Sequence, residues 1–217
     1  MDKWIKDITL TISQETIVHP DDPPFCCNKI RSLDAGDKYE LRQLLFCNHI
    51  GTHIDFPLHI YPEGRSSSDY DIKDLIGKTL ILQIPVDKKS ITKDDVKNIE
   101  VNDVDFVFFK TGNSDLLLKK NKICENFVYL EKEAAEELTK KNLKGVGIDY
   151  ISVDQYGDEN MPIHRALLSS NILIIEGLEL SFVHPAKYQA YIIPLKIPNM
   201  DGLPARVFIE KVGGTLK

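Results

Sequence analysis

Three of the six histidines fall within eleven residues, in His49-Ile-Gly-Thr-His53-Ile-Asp55-Phe-Pro-Leu-His59, with a carboxylate set among them. Neutral imidazole nitrogen together with carboxylate oxygen suits Zn²⁺, Mn²⁺ or Fe²⁺ better than Mg²⁺ or Ca²⁺, which favour oxygen alone. The set also reads as catalytic more than structural. Structural zinc sites are closed by four ligands rich in Cys, whereas His/His/Asp leaves a coordination position for water or substrate. The bland alternative is three unrelated core histidines with Asp55 at a turn, and the density of the cluster argues against it.

The spacing constrains the backbone that must carry these groups. His49 and His53 could share a helical face, but Gly51 between them and Pro57 just after oppose a regular helix. A turn running into an extended segment fits better: His53 and Asp55 then point to one side, and the Gly51 turn brings His49 back toward them. His59 lies beyond Pro57 and need not be a ligand. A histidine beside an ion but off it suits general acid/base work, because its ordinary pKa is near neutrality.

The remaining ligands should come from elsewhere in the chain, at element boundaries. His164 stands in the first turn of a helix opened by Pro162, and Glu176 directly follows a wholly apolar strand, where an unpaired charge would be costly unless it met a cation. Glu179 and His184 sit in more polar, loop-like sequence and are set aside. Asp149 and Asp154 are candidates to orient a ligand without touching metal. Cys47, two residues before His49, reads as a small buried side chain.

The elements around these residues are mostly strands. Ile8–Ile12, about Tyr39–Phe46, Thr79–Pro85, Val104–Phe109, Gly145–Tyr150, Ile172–Ile175, about Tyr188–Ile197 and Ala205–Glu210 carry strand-like alternation or short apolar runs bounded by turn residues. Glu131–Lys141 is the clearest helix, and Pro162–Ser169 a short second one. A proline-rich loop, His19-Pro20-Asp-Asp-Pro23-Pro24, follows the first strand. Many strands and few helices in mixed order favour an α/β or α+β sheet, and no linker divides residues 1–217 into more than one domain.

Composition narrows the partners. A net charge of −6 over 217 residues offers no basic face for nucleic acid, and the lysines near Lys119-Lys120 and Lys140-Lys141 read as solvated surface. The start Met1-Asp-Lys-Trp-Ile-Lys-Asp is unlike a secretory signal, and no apolar run reaches membrane-spanning length, so a cytoplasmic location is expected. Cys26, Cys27, Cys47 and Cys124 lack paired spacing and are expected to be reduced thiols.

The motifs together resemble the cyclase family of metal-dependent hydrolases, which includes the bacterial kynurenine formamidases, or arylformamidases. His49-x-Gly-Thr-His53-x-Asp55-x-Pro-x-His59 is similar to that family's signature, and Gly-Ile-Asp149-Tyr-Ile-Ser-Val-Asp154 to its central strand. His164-Arg-x-Leu-Leu and Ile-Ile-Glu176-Gly-Leu are similar to its second metal segment, and Pro194-Leu-Lys-Ile with Asp201-Gly-x-Pro-x-Arg206 to its C-terminal end. The resemblance implies a swivelling β/β/α fold of mixed sheets with few helices, a homodimer, and divalent metal, commonly two Zn²⁺ with Mn²⁺ as an alternative. It implies that His49, His53 and Asp55 hold one ion and His164 the second, that Asp55 and Glu176 bridge them, and that His59 is the acid/base.

The implied reaction is hydrolysis of an amide C–N bond by metal-activated water, N-formylkynurenine giving kynurenine and formate in tryptophan catabolism. In the resembling formamidases a tryptophan of the proline-rich loop stacks on the aromatic substrate. The corresponding place here reads Val18-His19-Pro20, and His19 is expected to border the substrate pocket. Alternatives within the family are isatin, lactone or cyclic-imide hydrolysis. A non-catalytic ligand-binding protein on the same scaffold is opposed by the presence of His59 beside every expected ligand.

Overall fold

Apolar residues that alternate along a strand line one face of a sheet, and here that face is rolled inward. The computed structural model describes residues 5–115 and 122–211. A closed sheet runs through β12 (Gly202–Lys211), β11 (Lys187–Pro194), β5 (Ile76–Gln83), β7 (Phe106–Lys110), β9 (Gly145–Ile148), β10 (Leu173–Glu176) and β4 (His53–Asp55), and β4 pairs back onto β12. Its interior is filled by Ile54, Ile81, Phe106, Phe108, Ile175, Val207 and their neighbours. The alternate residues, Val107, Phe109, Val146, Ile148 and Ile174, face outward against helices. Gly147 leaves room inside, since a Cβ there would lie 2.5 Å from the Phe108 ring.

The strands β5, β7, β9 and β10 are mutually parallel, and parallel neighbours need crossover connections. Helices at Lys93–Val96, Lys132–Thr139 and Pro162–Ser169 lie in those crossovers and supply the outer layer. The other contacts round the barrel are antiparallel. This is the mixed α/β architecture with few helices that the sequence predicts, and both expected helices form within two residues of their expected bounds. The Lys119-Lys120 pair lies outside the described residues, while Lys140 pairs with Glu137.

One expected strand is displaced and one strand is added. The first strand is not Ile8–Ile12 but β1 (Ile5–Asp7), which adds to β12 beyond the barrel. At Thr9 the side-chain hydroxyl takes over the ladder, accepting from Val207 N–H at 2.8 Å and donating to its carbonyl at 3.0 Å. The Ile8 carbonyl meanwhile accepts from Glu179 N–H, so the chain turns away from the sheet. The added strand is β2 (Cys26–Arg31), to which the sequence assigns no element and which pairs with β3 (Leu41–Leu45) in a separate hairpin. β3 lies within the expected Tyr39–Phe46 strand, whereas β2 is largely exposed and lacks the buried face whose alternation marks a strand. A further short pair, β6 (Ser90–Ile91) and β8 (Tyr129–Leu130), sits on the helical side.

Candidate metal centre

The short strand β4 closes the barrel, and its two-residue period decides what faces the helices. Ile54 points into the interior, so His53 and Asp55 point outward together. On β10 the same parity turns Ile175 inward and Ile174 and Glu176 outward, and the register sets Glu176 directly opposite His53. His164 descends from the Pro162–Ser169 helix packed over this face. His49 returns from the turn before β4, as the Gly51 turn predicts.

That turn is fixed by close backbone approach. Gly51 and Gly177 both have left-handed backbone, and a Cβ on Gly177 would stand 2.2 Å from the Gly51 carbonyl oxygen. The Thr52 hydroxyl accepts from Leu10 N–H at 2.8 Å and donates to the Gly177 carbonyl at 2.5 Å. Gly202 opens the other side: a Cβ there would lie 2.3 Å from the His49 ring.

Each of the three outer rings is tied down through one nitrogen to a group that can only accept. His53 Nδ1 is 3.0 Å from the Gly51 carbonyl, His49 Nε2 is 2.9 Å from Asp201 Oδ2, and His164 Nδ1 is 2.5 Å from Asp154 Oδ2. When the rings are neutral the tied nitrogens therefore carry the hydrogens, and the other nitrogen of each presents a lone pair. Those lone pairs converge on carboxylate oxygens. His49 Nδ1 is 2.8 Å and His53 Nε2 3.5 Å from Asp55 Oδ1, and His164 Nε2 is 3.5 Å from Asp55 Oδ2. Glu176 spans the same gap, with Oε2 3.3 Å from His53 Nε2 and Oε1 3.5 Å from His164 Nε2.

Asp55 is wholly buried, and neither of its oxygens accepts a hydrogen bond of normal geometry from a described residue. Burying an unpaired carboxylate costs several kcal/mol, so lone pairs facing lone pairs at this distance require positive charge between them. The donor set divides into His49/His53/Asp55 and Asp55/His164/Glu176, two groups sharing Asp55, and each could hold a divalent cation. A third grouping, His49/His59/Asp201, is half-exposed, and its carboxylate oxygen is already spanned by two imidazoles.

The electrostatics state the same demand. Burial pulls the His49 pKa down, but Asp55 and Asp201 outweigh it and hold the ring up at about 10. His164 is likewise lowered by burial and raised by Asp154, Asp55 and Glu176, to about 10. Burial pushes the Asp55 carboxyl up, and His53 and His49 bring it well below the usual range. Asp201 is held far below that range by His49 and His59.

All six clustered residues expected from sequence, His49, His53, Asp55, His59, His164 and Glu176, come together. His59 lines the same cavity of about 390 Å³, its ring 4.2 Å from that of His49 and 5.6 Å from that of His164 between centroids. His19 lies on the cavity wall with its side chain 61% exposed. Asp154 orients His164 and also caps its helix, accepting from Ile163 and His164 N–H. Asp149 does not join it: burial raises its pKa, and its oxygens accept from Thr111 and Ser114. Cys47 stands against Asp22, half-buried and outside the cavity lining. Asp201 is the site residue that sequence reasoning left without a role. Its signal was present in Asp201-Gly-x-Pro, where a glycine follows a carboxylate at a strand start.

Comparison with known proteins points the same way. A family model described as a putative cyclase matches residues 6–155. A kynurenine formamidase of Geobacillus thermodenitrificans is 30% identical over 98% of this chain and 100% of its own length. A solved structure titled as a predicted metal-dependent hydrolase from Bacillus stearothermophilus superposes with TM-score 0.81 at 31% identity, covering 94% of this chain and 97% of that one. An isatin hydrolase bound to thioisatinate shares the fold with TM-score 0.80 at 22% identity, over 94% and 91% of the two chains.

The raised His49 and His164 values carry a sign that can be checked. In chelator-stripped protein at pH 8 both rings are expected to be protonated, whereas metal ligation would need them neutral, so adding a divalent metal such as zinc should release about two protons per chain. Their ion pairs stabilise the stripped protein fully below the ordinary histidine pKa and are lost as pH rises through about 10. Its melting temperature should therefore fall across that window. Calorimetry in buffers of different ionisation enthalpy reads the proton count, and zinc uptake without proton release would contradict the assignment.

Proposed function

The chain belongs to the cyclase family, and from that premise we propose that it hydrolyses the C–N bond of an amide in the manner of an arylformamidase, using divalent metal. The carrying observation is Asp55: a buried carboxylate without a hydrogen-bond donor among the described residues, ringed by imidazole nitrogens and a second carboxylate. His49, His53 and Asp55 would hold one ion and His164 the other, with Asp55 and Glu176 shared between them. Zinc is the proposed metal and Mn²⁺ the alternative, since both accept this donor set. Bound there, the metal supplies Lewis acidity, bringing the pKa of water toward about 7 and polarising a carbonyl.

The chain's own side chains do the rest. Gly51, Asp201 and Asp154 hold the three ligand rings in one tautomer, so no reorganisation is needed when substrate arrives. His59 donates Nδ1–H to Asp201, at 3.2 Å, which leaves Nε2 as the nitrogen able to take a proton from water and return it to the departing amine. Apolar walls that include Ile17, Val18, Ile123 and Phe127 exclude water and offer surface for an aromatic ring. For N-formylkynurenine the products are formate and kynurenine. His19, on the rim, is assigned to substrate contact.

The whole of residues 1–217 is taken as one hydrolase domain, located in the cytoplasm. Four free thiols accord with that compartment, and no helix of the described residues is long and apolar enough to cross a membrane. It is proposed to act as a homodimer. Leu44 and Leu45, 54% and 50% exposed, point to opposite faces of the β2–β3 hairpin, and an isolated two-stranded hairpin is marginally stable until covered. Light scattering should give twice the chain mass, and a monomer at micromolar concentration would refute the dimer.

The activity is tested by a panel of formanilide, N-formylkynurenine, isatin and a cyclic imide with zinc- or manganese-loaded protein. Turnover of the formyl amides above the others is expected, and hydrolysis of none would overturn the reading. His59→Gln should lower kcat by about 10²–10⁴-fold with metal content unchanged. His19→Ala should raise KM several-fold and leave the metal in place; loss of metal would refute its assignment to substrate.

A further inference from the structure

We propose that Asp201 is a positioning residue for His59: its single oxygen Oδ2 locks the acid/base ring in the tautomer that frees Nε2, and ties that ring to His49. This rests on the reading of His59 as the acid/base.

Asp201 Oδ2 is 2.9 Å from His49 Nε2 and 3.2 Å from His59 Nδ1, so one oxygen accepts from both rings. Its other oxygen, Oδ1, accepts from Asn48 Nδ2 at 2.7 Å, and the same amide donates to the Gly202 carbonyl at 3.2 Å. A carboxylate gripped at both oxygens cannot rotate to follow the rings, so the rings must conform to it.

The backbone around Asp201 is equally fixed. Its carbonyl accepts from Phe56 N–H at 2.8 Å, which fastens it to the chain just ahead of His59. Met200 exchanges two bonds with Ser67, and Asn199, with left-handed backbone, is bonded to the Ser68 hydroxyl. Gly202 then leaves the space in which the His49 ring lies. These contacts hold one carboxylate between two imidazoles. Its 37% exposure sets it apart from the wholly buried Asp55, and it is not offered as a ligand.

A tautomer lock predicts a specific pattern of loss. With zinc in excess, Asp201→Asn should bind metal to wild-type stoichiometry and lose about 10- to 100-fold in kcat on formanilide with KM within about twofold. Combined with His59→Gln under the same saturating zinc, it should cost much less than it does alone, because the part of its effect that passes through His59 is already lost. Histidine ¹⁵N correlation spectra of the zinc-loaded protein should show His59 protonated at Nδ1 in the wild type and at a mixture of both nitrogens in Asp201→Asn. Losses that multiply in the double variant, or a His59 tautomer unchanged by Asp201→Asn, would overturn the proposal. Should Asp201→Asn not fold, Asn48→Ala releases the carboxylate from its other side and should give a smaller loss with the same failure to add. If His59→Gln leaves turnover untouched, the acid/base reading fails, while the tautomer spectrum still decides the part played by Asp201.

Discussion

A carboxylate buried from solvent, with no hydrogen-bond donor among the described residues and faced by the lone pairs of three neutral imidazoles, cannot persist without positive charge, and the rest of this structure is arranged around that demand at Asp55. The supporting shell makes it unconditional. If the three rings were free to flip, each could turn an N–H toward Asp55 and satisfy it as a neutral donor. Gly51, Asp201 and Asp154 remove that freedom by claiming the opposite nitrogens. Protons or metal ions are then the available ways to balance the site, and the donor types select a borderline divalent metal.

The barrel delivers this arrangement through parity. Closing the sheet with β4 between β10 and β12 fixes which residues look inward, and a one-residue slip would send His53 and Asp55 into the apolar interior. Ile54, Ile175 and Leu203 hold the register by filling that interior, so the core pins the chemistry. The crossover helix carrying His164 covers the outward face, and the Asp154 carboxylate fastens helix and ring together. Close contact between Gly51 and Gly177 then sets the turn that returns His49.

Much of this was legible in the residues. Ligand chemistry concentrated in eleven positions, a glycine turn between His49 and His53, and a charge ending an apolar strand at Glu176 each have a local physical meaning. Most strands declared themselves through buried alternation. β2 did not, because it buries no face, and the first strand was displaced because the Thr9 hydroxyl replaces a backbone ladder in a way no periodicity records. Asp201 stands in a recognisable motif that does not show its role: its partners are 142 and 152 residues away, and local pattern carries no information on such pairings. Asp149 and Asp154 read alike in sequence. Only the Thr111 and Ser114 donors around one, and the helix start beside the other, separate them.

The most direct test is anomalous diffraction from crystals of the zinc-loaded protein at the zinc absorption edge. The account predicts two peaks, each within bonding distance of an Asp55 oxygen, one also reached by His49 and His53 and the other by His164. A metal bound elsewhere, with none in reach of Asp55, would contradict it.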